Sequence, residues 1–224
     1  MMMSPALRKF TYATHITSSV AWIGAVIVFI AMAGLALSSQ DETTVRGAYL
    51  VMAPAAWFAL VPLAHASLLT GIALSLGTTW GLIRHYWVVL KLGITVFCTV
   101  ILMIYMGTFR QMAGIAADPF VDVDAVRSAS PLLHASVALV LLLVATALGV
   151  YKPFGMTAYG RRIAFQRGAS YIVRAGTPNS DSDFARPGDR LRSRPWEAYL
   201  VLGILALFAL VIVLHVIGGR AHGH

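Results

Sequence analysis

Charged residues are scarce in this sequence, and cysteine is nearly absent. Only 12% of the 224 residues are Asp, Glu, Lys or Arg, whereas soluble globular domains carry about 25%. The single cysteine, Cys98, excludes an intramolecular disulfide and a cysteine-rich metal motif. The sequence also lacks a phosphate-binding loop, a hydrolase elbow and a pair of carboxylates at catalytic spacing. These absences argue against a soluble enzyme domain.

Long apolar runs dominate the sequence. Apolar residues make up 58% of the chain, and runs of about 20 residues recur, the length that an α-helix needs to cross a bilayer core of about 30 Å. The first run is far longer than the apolar part of a signal peptide, which has about 7 to 15 residues, so we expect it to be retained. The sequence predicts an all-α fold, a polytopic transmembrane helical bundle of about five spans: 10–37, 49–77, 86–108, 131–152 and 197–218.

These spans divide the chain into three parts. Residues 1–152 are predicted to form a four-helix transmembrane bundle, 153–195 a basic cytoplasmic loop, and 196–224 a fifth transmembrane helix with a short tail. The loop is rich in Gly, Pro, Ser and Arg and has too few apolar residues to build a core. We expect it to be partly disordered and to be held near anionic lipid headgroups by its arginines. Docking of a partner is the alternative.

Basic residues are concentrated on one side of the predicted spans. The fourth connection, with Lys152 at its edge, carries nine of them, and the N-terminus and second connection add Arg8, Lys9 and Arg84. The positive-inside rule then places the N-terminus inside and the C-terminus outside, in a multi-pass protein of the cell inner (plasma) membrane. Because the net charge of +8 lies mostly between spans, we expect the lipid bilayer and its anionic lipids as partners, and no nucleic acid.

Five ionisable residues fall inside the predicted spans: His15, His65, Lys91, His134 and His215. Such residues usually face the bundle interior and carry function. His15 follows Lys9 by six residues and Lys91 follows His85 by six, so each lies about 9 Å inside the same boundary. His134 and His215 lie about 6 to 7 Å from the opposite boundary, and His65 lies near the middle. The depths predict one pair near each boundary.

The stretch around His15 forms a polar stripe. His15, Ser18, Ser19 and Trp22 are spaced at i, i+3, i+4 and i+7, which is one face of a helix. We expect this face to point into the bundle, where the two serines allow a helix or a flat ligand to approach closely. On the second span, Pro62 deprives the Phe58 carbonyl of its usual donor, which predicts a kink and a small polar pocket beside His65.

Imidazoles on facing helices are a standard way to ligate heme iron in a bundle. The candidate cofactor-binding residues are therefore His15, His65, His134 and His215, with His15 as a possible heme iron ligand. Histidines also bind copper or zinc, relay protons, or only form hydrogen bonds between helices. For Lys91 the alternative to function is snorkelling of its side chain to the interface.

Two stretches resemble a loose bacterial superfamily. "ATHITSSVAWIGAVIVF" is similar to its first-span pattern of His, six residues, Trp, one residue and Gly. "LLTGIALSLGTTWGLIRHYWVVLKLGITV" is similar to its Thr-Gly segment followed by Trp, three residues and Lys-Leu. The superfamily includes copper-resistance D-type membrane proteins, the heme-containing membrane protoporphyrinogen oxidase and uncharacterised predicted integral membrane proteins. The resemblance covers about residues 8 to 110.

In the oxidase branch the first-span His and the third-span Lys belong to the functional site. The resemblance thus implies His15 and Lys91 as their counterparts, with Lys91 as the candidate catalytic residue. This chain departs from the oxidase pattern at "VFIAMAG", which lacks a second histidine, and at Met106, where Tyr-His is usual. The uncharacterised branch is the closer likeness.

The prediction is an integral membrane protein that binds heme b or a related redox cofactor, for membrane electron transfer or porphyrin oxidation. A pair of His134 and His215 would add a second ligand set and a route for electrons across the membrane. Two alternatives stay open at this point. One is a non-catalytic accessory or assembly subunit that packs against partner membrane subunits, and the other is a copper or small-solute transporter.

Overall fold

A computed structural model describes residues 3–78, 81–152 and 155–175, and within these ranges the side chains as far as residue 166. The described residues form six α-helices: α1 (Pro5–Ser38), α2 (Glu42–Ala55), α3 (Val61–Gly77), α4 (Tyr86–Ala117), α5 (Ser130–Tyr151) and α6 (Ala158–Ala175). A π-helical turn, Ala56–Leu60, joins α2 to α3, and a short 3-10 turn, Val123–Ala125, precedes α5.

Four helical segments are long and apolar enough to cross a membrane: Pro5–Ser38, Glu42–Gly77, Tyr86–Ala117 and Val123–Tyr151. Only 17 to 28% of the residues in their most apolar windows are buried inside the protein. Apolar side chains such as Phe10 and Phe58, which are 69% and 78% exposed, therefore face outward, as suits a lipid environment. The all-α prediction and its first four spans are confirmed to this extent. The predicted fifth span, 197–218, lies outside the described residues.

Small side chains let these helices pack closely. Helix α1 contacts α2, α3 and α5, and α4 contacts the same three helices. Several alanines are almost completely buried along these contacts, as is common where membrane helices approach one another: Ala33, Ala36, Ala56, Ala64, Ala116 and Ala145. The larger side chains of Trp22, Tyr49, Met52 and Ile94 fill the space between them.

The second span is continuous but not α-helical throughout. The π-helical turn Ala56–Leu60 lies between Pro54 and Pro62. Because proline has no backbone N–H, the usual pattern of hydrogen bonds is interrupted here, and the turn accommodates the wider i to i+5 bonding. The predicted irregularity therefore takes the form of a π-helical turn.

Arginines bind the connections at one end of the bundle, which also holds Asp41, Glu42, Asp118, Asp122 and Asp124 and is called the acidic end below. The Arg46 guanidinium donates to the carbonyls of Ala116, Asp118 and Val121 at the end of α4. The Arg127 guanidinium donates to the carbonyls of Ala36, Leu37 and Ser39 at the end of α1. The carbonyls of Ala116, Ala36 and Leu37 lie in the last turns of their helices and have no partner there, so the two arginines stabilise both helix ends.

Asp41 caps α2 at the acidic end. Its carboxylate accepts hydrogen bonds from the hydroxyl and the backbone N–H of Thr44, and these bonds hold the pKa of Asp41 below its usual value. A lowered pKa in the folded state means that the cap is complete at neutral pH. Its contribution is lost only as the pH falls through that lowered value.

The basic connection after α5 contains a helix where the sequence predicted a loop. Helix α6 can extend over Ala158–Ala175 because this stretch contains no proline, whereas the prolines of the connection lie outside it, at Pro153, Pro178, Pro187 and Pro195. Its start is fastened to the connection before α4, since Thr157 donates to the carbonyls of Ile83 and Arg84. Gly160 lies so close to the Arg84 carbonyl that a Cβ atom would come within 2.3 Å of its oxygen.

Replacing Arg127 is expected to destabilise the acidic end. Arg127→Met keeps the aliphatic stem but removes the hydrogen bonds to three carbonyls, so we expect the free energy of unfolding to fall by about 2 kcal/mol. The matched control is Arg110→Met, because Arg110 is exposed and its guanidinium lies 5.8 Å from the Trp57 ring. Thermal unfolding of both purified variants in detergent measures the difference. Equal transition temperatures would contradict the assigned role of Arg127.

Candidate functional site

A cavity of about 470 Å³ opens at the other end of the bundle. It is lined by the N-terminal part of α1, the C-terminal part of α3, the start of α4 and the end of α5. Arg8, Lys9, Arg84 and Lys152 lie at this end of the helices, which is called the basic end below. The volume falls within the range of about 300 to 1,000 Å³ that is typical of ligand pockets.

His15 lies on the wall of this cavity, and its tautomer follows from its partners. Its Nδ1 lies 3.0 Å from the Ser67 carbonyl oxygen and 3.1 Å from the Thr70 hydroxyl oxygen. The carbonyl accepts only, and the Thr70 hydroxyl donates its own hydrogen to the Ala66 carbonyl. Both partners are thus acceptors, so Nδ1 carries the proton and Nε2 carries the lone pair.

Lys91 reaches the free lone pair of His15. Its Nζ lies 3.3 Å from His15 Nε2, so the amine donates to the imidazole. The contact depends on two glycines. At Gly71 a Cβ atom would lie 3.1 Å from His15 Cε1, and at Gly149 a Cβ atom would lie 3.2 Å from Lys91 Nζ. The prediction that His15 and Lys91 share one level of the bundle is confirmed.

The polar stripe of α1 faces the bundle interior, as predicted. Ser18 and Trp22 are buried, and the Ser19 hydroxyl lies 2.7 Å from the Ser67 hydroxyl of α3. The Ser18 hydroxyl donates to the carbonyl of His15 in its own helix. Ser19 and His15 therefore both bind Ser67, through its hydroxyl and its carbonyl respectively, and the stripe contacts α3 over about one helical turn.

His65 and His134 do not line this cavity. His65 is half-buried and its Nδ1 lies 2.8 Å from the Val61 carbonyl, one turn back in the same helix. His134 Nδ1 likewise lies 2.9 Å from the Ser130 carbonyl, and its ring is 4.5 Å from that of Tyr105. It borders a second, largely apolar cavity of about 70 Å³. His215 lies outside the described residues, so the predicted pair of His134 and His215 stays a prediction.

The lining of the main cavity is strongly basic. Its charged side chains are Arg8, Lys9, Lys91 and Lys152, and no Asp or Glu is among the described residues that line it. The five acidic residues that the structure describes all lie at the acidic end, and the remaining four fall at 181–197, outside the described ranges. A site with this charge distribution favours an anionic ligand.

Comparison with protein-family models, with curated proteins and with solved structures finds no match for this chain. The resemblance carried by residues 8 to 110 therefore stays a prediction. Among the described residues, no three His, Cys, Asp or Glu side chains converge as a metal-binding group.

Sequence reasoning did not identify Ser67 and Gly149 as parts of the site, and it gave Thr70 and Gly71 no contact. A signal was present on α3, where small and polar residues recur at helical spacing: Ser67, Thr70, Gly71, Ser75 and Thr78. Four of these line the cavity, and Thr70 binds His15. Gly149 gave no such signal. It matters only because the extended Lys91 side chain reaches it, so that a Cβ atom there would lie 3.2 Å from Lys91 Nζ.

Gly71→Ala is expected to disturb His15. The added methyl group would press on an imidazole that two hydrogen bonds hold in place, so we expect the melting temperature in detergent to fall by several degrees, corresponding to about 1 to 2 kcal/mol. Gly93→Ala on α4 is the matched control, because nothing lies within 4 Å of the added atom.

The same substitution in a His15→Ala background separates the clash from a general effect on α3. With the imidazole gone, the cost of Gly71→Ala should largely vanish, which a double-mutant cycle measures as a coupling free energy. An equal cost in both backgrounds would show that Gly71 does not support His15.

Proposed function

We propose that this chain is a membrane protein that binds heme b, or a related flat redox cofactor with carboxylate groups, in the cavity at the basic end. The observation that supports this function is the fixed tautomer of His15, a residue of the cavity wall, whose Nδ1–H bonds a backbone carbonyl and whose Nε2 keeps its lone pair. Metal-ligating histidines are usually held in this way by a partner on the other nitrogen.

The residues present fit such a group in three respects. His15 offers an imidazole lone pair at the cavity wall, and the cations Arg8, Lys9 and Lys152 can pair with cofactor carboxylates. Apolar side chains such as Leu68, Val88 and Leu92 provide walls for a flat hydrophobic ring. The Lys91 amine donates a hydrogen bond to the lone pair of His15 Nε2. Because the lysine side chain is flexible, it can turn away so that Nε2 can bind the iron.

Heme b supplies one-electron redox chemistry when it is bound, and the chain supplies binding, orientation and exclusion of water. Ser67 and Thr70 hold the His15 ring in one orientation. We propose Lys91 as the catalytic residue, because its Nζ lies 3.3 Å from the candidate ligand atom and, once turned away from Nε2, could donate a hydrogen bond or a proton to a molecule bound in the cavity. The apolar helices around the site keep water from its deeper part.

The orientation of the chain belongs to the same proposal. The basic end is proposed to face the cytoplasm, because Lys and Arg are retained on that side of the inner membrane. Helix α6, with Arg161 and Arg162 near its start and Phe165 77% exposed, is proposed to lie against anionic lipids of that leaflet.

Labelling of Arg161→Cys and Asp122→Cys with an impermeant thiol reagent, in a Cys98→Ala background, tests the orientation, and labelling of position 161 from the periplasm would contradict it.

An absorption spectrum tests the proposed function. Protein expressed with heme supplied should show a Soret band and a pyridine-hemochrome signal, and His15→Ala should lose most of both, because the iron loses its protein ligand. Thr14→Ala is the matched control, since the Thr14 hydroxyl bonds only within α1, to the Phe10 carbonyl, and lies outside the cavity lining. A wild-type protein without a Soret band, or a His15→Ala protein with an unchanged one, would reject the proposal.

A further inference from the structure

The cations of the cavity come from separate parts of the chain. Arg8 and Lys9 lie at the start of α1, Lys91 on the second turn of α4, and Lys152 directly after α5. The chain thus brings four positive side chains to one cavity from three helices. Positive side chains that converge on one cavity from separate helices favour an anionic ligand there.

The same cavity has an apolar interior. Its lining also includes the apolar side chains of Leu68, Leu74, Trp87, Val88 and Leu92. Arg8, Lys9 and Lys152 are exposed, whereas Lys91 is half-buried and Val88 is buried. The charges therefore concentrate at the open mouth, apart from Lys91, and the deeper walls suit a hydrocarbon chain or ring.

Lys152 has a backbone conformation that places it at this mouth. It ends α5 with φ 46°, in the left-handed region that residues other than glycine rarely adopt. Glycine or asparagine would adopt this conformation at lower cost. A lysine at this position therefore costs stability, as is expected of a residue with a functional role.

We propose that the mouth of this cavity is a binding site for an anionic amphiphile, a molecule with one phosphate or carboxylate group on an apolar tail. Arg8, Lys9 and Lys152 hold the anionic group, and the tail lies along the apolar walls toward Lys91. This inference goes beyond the proposed cofactor function, because it needs no iron and no ligand bond from His15. A lipid bilayer around the four long apolar helices would offer such molecules.

Native mass spectrometry of the full chain, purified in detergent, tests the site. The probes are phosphatidylglycerol, oleate, phosphatidylcholine of the same acyl chains, and inorganic phosphate. We expect phosphatidylglycerol or oleate to bind with one molecule per chain, and the two anionic probes identify whether phosphate or carboxylate is preferred. Phosphatidylcholine and inorganic phosphate should bind much more weakly, since one lacks the net charge and the other the tail.

The decisive variant is the triple substitution Arg8→Gln, Lys9→Gln and Lys152→Asn, in which asparagine tolerates the left-handed backbone. We expect its apparent Kd for the preferred anionic probe to rise at least tenfold, since each basic residue contributes to anionic lipid binding. Arg110→Gln is the control, because it removes a cation from α4 outside the cavity, and it should bind as the wild type does. Circular dichroism verifies that both variants are folded.

The outcomes separate this inference from the proposed cofactor function. Charge-dependent amphiphile binding by a protein that shows no Soret band would reject heme and leave the amphiphile site standing. The reverse result, a protein that loads heme but whose triple variant, in the heme-free form, retains the anionic probe as tightly as heme-free wild type, would overturn the amphiphile site alone. Equal binding of phosphatidylcholine, or tight binding of inorganic phosphate without a tail, would also overturn it.

Discussion

The hydrogen bond from the His15 imidazole to the Ser67 carbonyl is the interaction on which the rest of the site depends. It joins α1 to α3 and fixes which nitrogen carries the proton, so that Nε2 faces Lys91. It also requires α3 to approach closely, and Gly71 makes room for the ring. One interhelical contact thus sets the chemistry of the histidine, the position of the lysine and the spacing of the helices around the cavity.

The two ends of the bundle differ in how their charged side chains are arranged. At the acidic end, Arg46 and Arg127 bind helix carbonyls and also pair with Glu42 and Asp124, so positive charge there has partners. At the basic end, positive charge collects around a cavity whose described lining contains no carboxylate. The carboxylates of the described residues therefore all lie at the first end, away from the cavity.

The apolar runs made the first four helices predictable, but not their ends. Helix α4 continues to Ala117, beyond the predicted span, because Arg46 binds the carbonyls at its end, and hydropathy carries no information about that contact. Depth along the helix was enough to bring His15 and Lys91 together. Depth could not show that His15 bonds a neighbouring helix, whereas His65 and His134 each bond a carbonyl of their own helix. Which histidine faces a cavity depends on helix rotation, which packing against several neighbours decides.

Nitrogen-15 solid-state NMR of the protein in lipid bilayers, with labelled histidine and lysine, measures the central interaction directly. The His15 signal, assigned by its loss in His15→Ala, should show a protonated Nδ1, an unprotonated Nε2 and a through-space correlation between Nε2 and Lys91 Nζ. A proton on Nε2, or the absence of any correlation with Lys91, would contradict the account.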